Sequence, residues 1–185
     1  QADTRSPRAR RLAAALLGHM QDIPEATPLV AALRGWDGDY RADSRAPVAF
    51  EVLLARLVPL LAAADRQDAA GNRRAPEAQW NFITAFLLRD LDALDPARRE
   101  AVLRQAAQAA ARDFAALGTW GEMHRLRVSH WLFNLPVVGG AFAYGDHAVG
   151  GSRETPMKTS HGLVTQRHAA SFGSMARHVS DMADP

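Results

Sequence analysis

The chain has 185 residues, of which 48% are apolar, so it can form a hydrophobic core and is not a chain that is disordered throughout. Its formal net charge is only +2, and because Lys158 is the only lysine the high pI reflects arginine. Cysteine is absent, which excludes disulfides and thiol catalysis within this stretch, and no apolar run approaches the ~20 residues that span a bilayer.

The first 118 residues are predicted to be mainly helical, because apolar residues recur at helical spacing and prolines stand where a first helical turn tolerates them. The predicted helices cover residues 8–20, 28–34, 44–60, 76–91 and 97–117. The segments between them at 35–39 and 65–74 are predicted to be loops.

Several helix ends carry recognisable signals. Ser44 and Asp95 are predicted N-caps with Pro47 and Pro96 close behind, and Gly118 is predicted to cap the end of the last helix. Two apolar stripes predict core faces, worth about 1.5–3 kcal/mol for each large side chain that is buried. They consist of Phe50, Leu53, Leu54 and Leu57 and of Trp80, Ile83, Phe86 and Leu87.

The residue pattern changes after Gly118. Residues 120–131 fit a helix or a strand, and from Phe133 onward glycines punctuate what we expect to be short extended pieces, with a further strand at 174–182. The sequence therefore predicts a mainly α protein with a smaller, Gly-rich, β-containing C-terminal part. We divide it into a helical region, 1–118, and an extended region, 119–185, within one domain.

The seven histidines raise the question of a metal site. His124 and His130 lie six residues apart with Glu122 nearby, but structural zinc ligands usually form tighter pairs and the helical metalloprotease motif places its histidines at i and i+4. The spacing therefore disfavours a metal. We expect His124 to bond to backbone, and we expect the others to lie on loops or strand edges: His147, His161, His168 and His178.

A hydrolase triad made of Ser129, His130 and Asp146 is also disfavoured, since closeness in sequence is not triad geometry and no Gly-x-Ser-x-Gly elbow is present. Residues 150–152, Gly-Gly-Ser, could bind an anion. They are not placed between a strand and a helix as a phosphate loop would be, so they are interpreted as a tight structural turn.

Four arginines near the start form a basic patch, which could bind nucleic acid or could be a solvated helix face. The patch consists of Arg5, Arg8, Arg10 and Arg11. Aromatic residues are not interleaved with it, which favours the solvated face. A free-standing helical interaction or nucleic-acid-binding module remains the alternative reading of the chain.

Short motifs are spread along almost the whole chain. They are Gln1-x-Asp3-x-x-Ser6, Leu33-x-x-Trp36-Asp37-Gly38, Asp43-Ser44-x-Ala46, Trp120-Gly121-x-x-His124-Arg125, Gly150-Gly151-x-x-x-Thr155 and Gly173-Ser174-x-x-Arg177-x-x-x-Asp181. Their types and order resemble the penicillin acylase family of N-terminal nucleophile hydrolases. The chain departs from the family pattern at 155–157, Thr-Pro-Met, and at 130–132, His-Trp-Leu.

The resemblance implies that the chain is an internal part of the β-subunit of an amidohydrolase with the αββα fold. The parent would be made as a precursor and would cleave itself to expose an N-terminal Ser, Thr or Cys, whose own α-amino group serves as the base. Backbone N–H groups and an Asn side chain would hold the oxyanion. Its substrates would be small acyl amides, among them β-lactams and acyl-homoserine lactones, which links the family to antibiotic biosynthesis or resistance.

The resemblance transfers no catalytic, cofactor-binding or metal-binding role to any residue of this chain. Gln1 and Pro185 are interpreted as cuts through a longer protein, and the isolated chain is expected to be inactive. The expected partners are the α-subunit and the rest of the β-subunit, in the periplasm, with no cofactor and no nucleic acid.

The matched residues are expected to be structural. Asp37 should be at least partly buried and should accept backbone N–H groups of its own loop, while Gly38 takes a positive φ. Arg177 and Asp181 would share a strand face at ~13 Å, too far apart to pair. The alternative is that Arg177 lines a site for an acyl carboxylate.

Overall fold

A computed structural model describes residues 3–64 and 83–173 of the chain. The α-helices are α1 (Pro7–Met20), α2 (Thr27–Leu33), α3 (Ala46–Ala64), α4 (Ile83–Asp92), α5 (Pro96–Ala116) and α6 (Trp120–Met123). The strands are β1 (His124–Ser129), β2 (Ala143–Ala148), β3 (Thr159–Ser160), β4 (His168–Ala169) and β5 (Phe172–Gly173). The described chain is therefore mainly α with a small β part, as predicted.

The helix starts follow from side-chain caps. The Ser6 hydroxyl accepts the N–H of Ala9 at 3.1 Å, so α1 begins one residue before the predicted start. Asp95 accepts the N–H of Arg98 at 3.0 Å at the start of α5, which confirms that cap. The Ser44 hydroxyl accepts the N–H of Ala46 at 3.3 Å beside the first turn of α3.

The hydrophobic core lies between α3 and the helices around it, with α5 as its main neighbour. The apolar stripe predicted on α3 is buried, and Pro59 is accommodated within the helix. The stripe residues that prove fully buried are Phe50, Leu53, Leu54 and Leu57. On α4, Leu87 and Leu91 join the same core, whereas predicted Trp80 and the loop at 65–74 lie outside the described residues.

The end of α5 differs from the prediction. The helix ends at Ala116 with Leu117 extended as the C-cap, so Gly118 is not the cap. A Cβ at Gly118 would collide with the Glu122 carboxylate, which accepts the N–H of Thr119 at 2.6 Å. Glycine at position 118 lets the Glu122 carboxylate come close to the backbone and form the capping box that starts α6.

Two small sheets follow α6. β1 pairs antiparallel with β2 and parallel with β4, so that His124 faces His168 in register, and β3 pairs antiparallel with β5. Extended structure thus begins at His124, earlier than Phe133, because residues 120–131 contain a helical turn followed by a strand. The segment from Gly139 to Gly151 holds a short 3₁₀ turn and β2, with no long helix.

Within residues 3–64 and 83–173, none of the helices combines the length and the apolar character that a bilayer span requires. The predicted strand at 174–182 lies outside the described part of the chain.

Candidate functional site

Three histidines from separate parts of the C-terminal region meet around one buried tryptophan. The ring centroids of His124, His161 and His168 lie 4.8–5.4 Å from one another. The Trp120 indole stacks on His124, with centroids 4.7 Å apart and planes inclined by 25°. Trp120, His124 and His161 are buried, and His168 is half-buried. We call this group the histidine cluster.

The pairing of distant strands brings the three histidines together. His124 opens β1 directly after α6, so it shares a short segment with Trp120. His168 opens β4, and the parallel pairing of β4 with β1 sets it opposite His124. His161 follows β3, and its ring meets Trp120 edge-on at 5.2 Å.

The hydrogen bonds assign tautomers to the cluster. His168 Nδ1 lies 3.1 Å from the Gln166 carbonyl and is therefore the donor there, which leaves its Nε2 as an acceptor. That Nε2 lies 2.8 Å from His124 Nδ1, so His124 donates. The remaining ring nitrogen of His124, Nε2, is buried without a hydrogen-bond partner among the described residues. His124 thus bonds through Nδ1 to His168, a partner that the sequence did not predict.

A buried ion pair lies beside the cluster. Glu51 on α3 is 1% exposed and receives hydrogen bonds from the Tyr40 hydroxyl at 2.7 Å and from Arg153 at 3.1 Å. His161 Nε2 lies 4.0 Å from the same carboxylate, and the Arg153 guanidinium lies 3.5 Å from His161 Nδ1. One carboxylate therefore faces a cation, a phenol and an imidazole in a space without bulk water.

Burial and the neighbouring charges set the protonation states of Glu51 and Tyr40. Burial opposes ionisation of Glu51, but Arg153, His161 and the hydrogen bond from Tyr40 together outweigh it and hold the pKa of Glu51 below its ordinary value. Burial, followed by the Glu51 charge, raises the pKa of the Tyr40 hydroxyl well above its ordinary value. Glu51 is therefore a carboxylate at neutral pH, and Tyr40 is its neutral donor.

The histidines are shifted toward the neutral form. Burial lowers the pKa of His124 to about 3, assisted by the other two imidazoles and opposed by the Thr159 backbone. Burial also lowers the pKa of His161 to about 4, although Glu51 opposes the shift. The pKa of His168 is lowered by burial as well. At neutral pH the cluster carries no charge, and its rings can accept protons only at a cost in stability.

The residues considered for a metal site do not come together. His124 is buried, whereas His130 is exposed and Glu122 caps α6 from the surface. Across residues 3–64 and 83–173 no group of three or more histidines or carboxylates has an arrangement that could hold a metal ion. His147 lies exposed on β2 and His161 in a loop, as expected, while His178 lies outside the described residues.

Two residues of the alternative triad, His130 and Asp146, have other partners. His130 Nδ1 accepts the N–H of Leu132 at 3.3 Å. The Asp146 carboxylate binds Arg125 and Arg167, each at 2.8 Å, and Arg125 and Arg167 hold its pKa below the ordinary range. The backbone of Ser129 pairs with Ala143 at the irregular end of the β1–β2 ladder. These contacts give His130 and Asp146 separate roles.

The basic patch near the start of the chain is partly neutralised. Arg5 lies 3.4 Å from Asp37 and 3.8 Å from Asp39, and Arg8 lies 3.6 Å from Glu154. Arg8 and Glu154 line an open cavity of about 460 Å³ at the start of α1, together with Arg153. Since these arginines contact carboxylates, the contacts favour a solvated helix face over a nucleic-acid interface.

The Trp36-Asp37-Gly38 loop agrees with the prediction only in part. Asp37 accepts the N–H of Asp39 at 3.0 Å and Gly38 has φ +84°, as expected. The Asp37 side chain, however, is 55% exposed, so the expectation of burial is wrong. Asp39 occupies the more buried place, with 15% of its side chain exposed and a hydrogen bond from the Thr4 hydroxyl.

The glycine turn at 150–152 is structural, as predicted. Gly151 has φ +83°, the N–H of Ser152 donates to the Thr155 hydroxyl at 2.9 Å, and the Thr159 hydroxyl donates to the Gly150 carbonyl at 2.9 Å. No strand is assigned at 155–157, and β3 begins at Thr159. The pair Arg177 and Asp181 lies outside the described residues.

Sequence reasoning did not find the histidine cluster or the ion pair beside it. The members of the cluster lie up to 44 positions apart, and their meeting depends on the pairing of β1 with β4. One signal was available: Glu51 stands between Phe50 and Val52 in a helix whose residues are almost all apolar. A lone carboxylate on such a helix calls for a buried partner.

A family model described as penicillin amidase matches residues 1–185. No curated protein matches the chain.

Proposed function

This chain belongs to the penicillin amidase family, and we propose that it is the structural frame of a β-subunit in a larger amidohydrolase that cleaves acyl amide C–N bonds. Family membership supports a parent enzyme that hydrolyses amide bonds. In this proposal the parent is an N-terminal nucleophile hydrolase with the αββα fold, located in the periplasm, and the nucleophile lies in another part of it.

The observation that carries the proposal is that the motifs resembling the family converge on one junction. The Trp120 indole N–H donates to the Gly151 carbonyl at 2.9 Å, and the N–H of Gly151 donates to the Tyr40 carbonyl at 2.9 Å. The N–H of Trp120 donates to the Ser44 carbonyl at 2.8 Å. Motifs that are distant in sequence therefore hold each other in place, which is the expected behaviour of a frame.

The same junction is closely packed. A Cβ at Gly121 would come within 2.8 Å of the Ala42 Cβ and 2.9 Å of the Ala148 Cβ, and a Cβ at Gly150 would come within 2.8 Å of the Tyr40 carbonyl oxygen. Glycine is required at such points because backbone approaches backbone. The Gly-rich motifs thus support a packing role, and they assign no chemistry to this chain.

The exposed apolar surface supports a contact with the remainder of the parent. Val128, Leu135, Val138 and Tyr144 are 41–60% exposed and lie on or between β1 and β2. Exposed apolar side chains grouped in this way are typical of a surface that is covered in an assembly. We assign this surface to the α-subunit and the rest of the β-subunit.

Catalysis in the parent would follow from groups outside this chain. An N-terminal Ser, Thr or Cys would attack the acyl carbonyl, with its own α-amino group as base. Backbone N–H groups and an Asn side chain would stabilise the tetrahedral oxyanion. The substrates would be small acyl amides, and no cofactor is needed for this chemistry.

The proposal is tested by comparing the isolated chain with the parent encoded by the surrounding coding sequence, using a phenylacetyl anilide and a fatty-acyl anilide. The parent should release the aniline, and N-terminal sequencing of its β-subunit should find Ser, Thr or Cys. The isolated chain should show no turnover. Turnover by the isolated chain that survives repurification and disappears in Ser129→Ala would overturn the proposal, as would a parent without amidase activity.

A further inference from the structure

The histidine cluster joins the end of the described chain to its helical part. Residues 159–173 contain β3, β4 and β5, and each of these strands has two residues. Besides the cluster, the two-residue β1–β4 pairing, the hydrogen bond of 2.7 Å from the Ala170 N–H to the Arg125 carbonyl and the Arg167–Asp146 ion pair at 2.8 Å join them to the β1–β2 sheet. Leu163 and Val164 also pack against the core. We call residues 159–173 the terminal segment.

We propose that the histidine cluster is a proton-sensitive latch, in which neutral His124, His161 and His168 hold the terminal segment against Trp120 and protonation releases it. The hydrogen bond between His124 Nδ1 and His168 Nε2 requires one nitrogen to be a bare acceptor. A proton on that nitrogen turns two facing groups into donors and ends the bond.

The groups around the cluster compensate for the added charge only in part. From α3 comes Glu51, which already accepts hydrogen bonds on both oxygens, from Tyr40 in the loop before α3 and from Arg153 in the loop before β3. Arg153 is itself a cation 3.5 Å from His161 and opposes a second positive charge there.

On the side of the β1–β2 sheet, the carboxylate near the described part of the cluster is already paired with arginines. Arg125 on β1 and Arg167, which precedes β4, both bind Asp146 of β2 at 2.8 Å. The single acidic group is thus shared between two guanidinium groups. The charged groups around the cluster are therefore cations, or carboxylates that already accept hydrogen bonds. A protonated ring is stabilised better by water than by these groups, so the rings separate.

The helical core does not depend on the cluster. Its buried residues lie mainly on α1, α2, α3 and α5 and contact one another directly. Release of the terminal segment is therefore a local opening that leaves the helices folded.

The test is amide hydrogen exchange on the full 185-residue chain at pH 7.5 and pH 4.5, expressed as protection factors so that the intrinsic effect of pH is removed. We expect protection in the terminal segment to fall on the order of tenfold to a hundredfold at pH 4.5, as linkage to the buried imidazoles requires. Protection in α3 and α5 should change far less. Equal losses in helices and terminal segment, or no loss in either, would overturn the latch.

Two variants separate the latch from a general effect of acid. His168→Gln retains hydrogen-bonding capacity but cannot be protonated, so its terminal segment should lose at least threefold less protection between the two pH values than the wild type. His147→Gln, on the exposed strand β2, is the matched control and should behave as the wild type. A His168→Gln response equal to that of His147→Gln contradicts the proposal.

If His168→Gln does not fold, ring-proton NMR titration of the wild type replaces it. The imidazole signals of His124 and His161 should resist protonation until the terminal segment opens, and both changes should share one midpoint. Titration of these rings near pH 6.5 without any change in the segment would overturn the proposal.

Discussion

The Tyr40 hydroxyl donates a hydrogen bond of 2.7 Å to Glu51, and both side chains are almost wholly buried. Arg153 binds the second oxygen of the same carboxylate at 3.1 Å. The loop before α3, the helix itself and the loop before β3 are therefore tied together through one carboxylate. This places an ionised group at the boundary between the helical core and the β part.

Glu51→Gln should be strongly destabilising. The glutamine can still accept from Tyr40, but the buried Arg153 cation loses its countercharge, and breaking one side of a buried ion pair costs about 3–5 kcal/mol. Urea unfolding at pH 7.5 measures the change. Asp43→Asn is the matched control, since it removes one negative charge from the exposed pair of Arg41 and Asp43 and should cost far less than Glu51→Gln. Similar losses in the two variants would contradict the role given to Glu51.

Asp39→Ala should lower the free energy of unfolding more than Asp37→Ala. Asp39 has the more buried side chain and accepts from the Thr4 hydroxyl, so its loss leaves a polar group poorly satisfied, at about 1–3 kcal/mol. Water can replace the exposed Asp37 carboxylate at the N–H of Asp39. Thermal unfolding of both variants checks the order, and a larger loss for Asp37→Ala would restore the burial expected from sequence.

The helical half was predictable because its signals are local. Asp95-Pro96 fixes the start of α5, and the apolar spacing of Leu53 and Leu57 predicts the buried face of α3. The resemblance in the motifs also identified the family correctly. In each case the residues that carry the information are within a few helical turns of one another.

The site was not predictable because it depends on long-range pairing. No spacing rule relates His124 to His168, whose meeting requires β1 and β4 to lie side by side. The expected burial of Asp37 failed for a similar reason, since Thr4, the partner that fixes the more buried Asp39, is 35 positions away from Asp39. Sequence patterns predict elements, and they predict contacts between elements poorly when a pairing spans only two residues, as between β1 and β4.

The terminal segment should become easier to open as the pH drops from about 6.5 toward 4. A histidine whose pKa is lowered on folding binds more protons in the unfolded chain, so its contribution is complete above the ordinary pKa of about 6.5 and is lost below it. With the pKa of His161 lowered to about 4, the loss from this residue by pH 4.5 is on the order of 2–3 kcal/mol. Glu51, whose pKa is also lowered, adds to the loss in more acidic solution.

Amide hydrogen exchange of the terminal segment, expressed as protection factors at a series of pH values, measures this dependence. His161→Gln should flatten the curve between pH 6.5 and 4.5, whereas His147→Gln should leave it unchanged. If both variants show the dependence of the wild type, His161 is not the group responsible.

Gly38→Ala should be more destabilising than Gly35→Ala, although both glycines have positive φ, +84° and +76°. An alanine at either position meets the backbone cost of that region, about 1–2 kcal/mol. At Gly38 the new methyl would also collide with the Ser6 carbonyl oxygen and come within 3.1 Å of the Arg10 Cβ, while nothing lies within 4 Å at Gly35. Since the N–H of Ser6 donates to the Gly38 carbonyl at 2.9 Å, the collision also displaces the start of α1.

The additional cost at Gly38 should be about 1–3 kcal/mol, the range for forced backbone shifts in a packed site. Gly18→Ala, inside α1 with open space around it, supplies the opposite control and should be stabilising by about 0.5–1 kcal/mol. Urea unfolding of the three variants should therefore give Gly18→Ala above the wild type, Gly35→Ala below it and Gly38→Ala lowest. Equal values for Gly35→Ala and Gly38→Ala would show that the loop can move away from Ser6, and the close contact between this loop and α1 would then not be a fixed part of the frame.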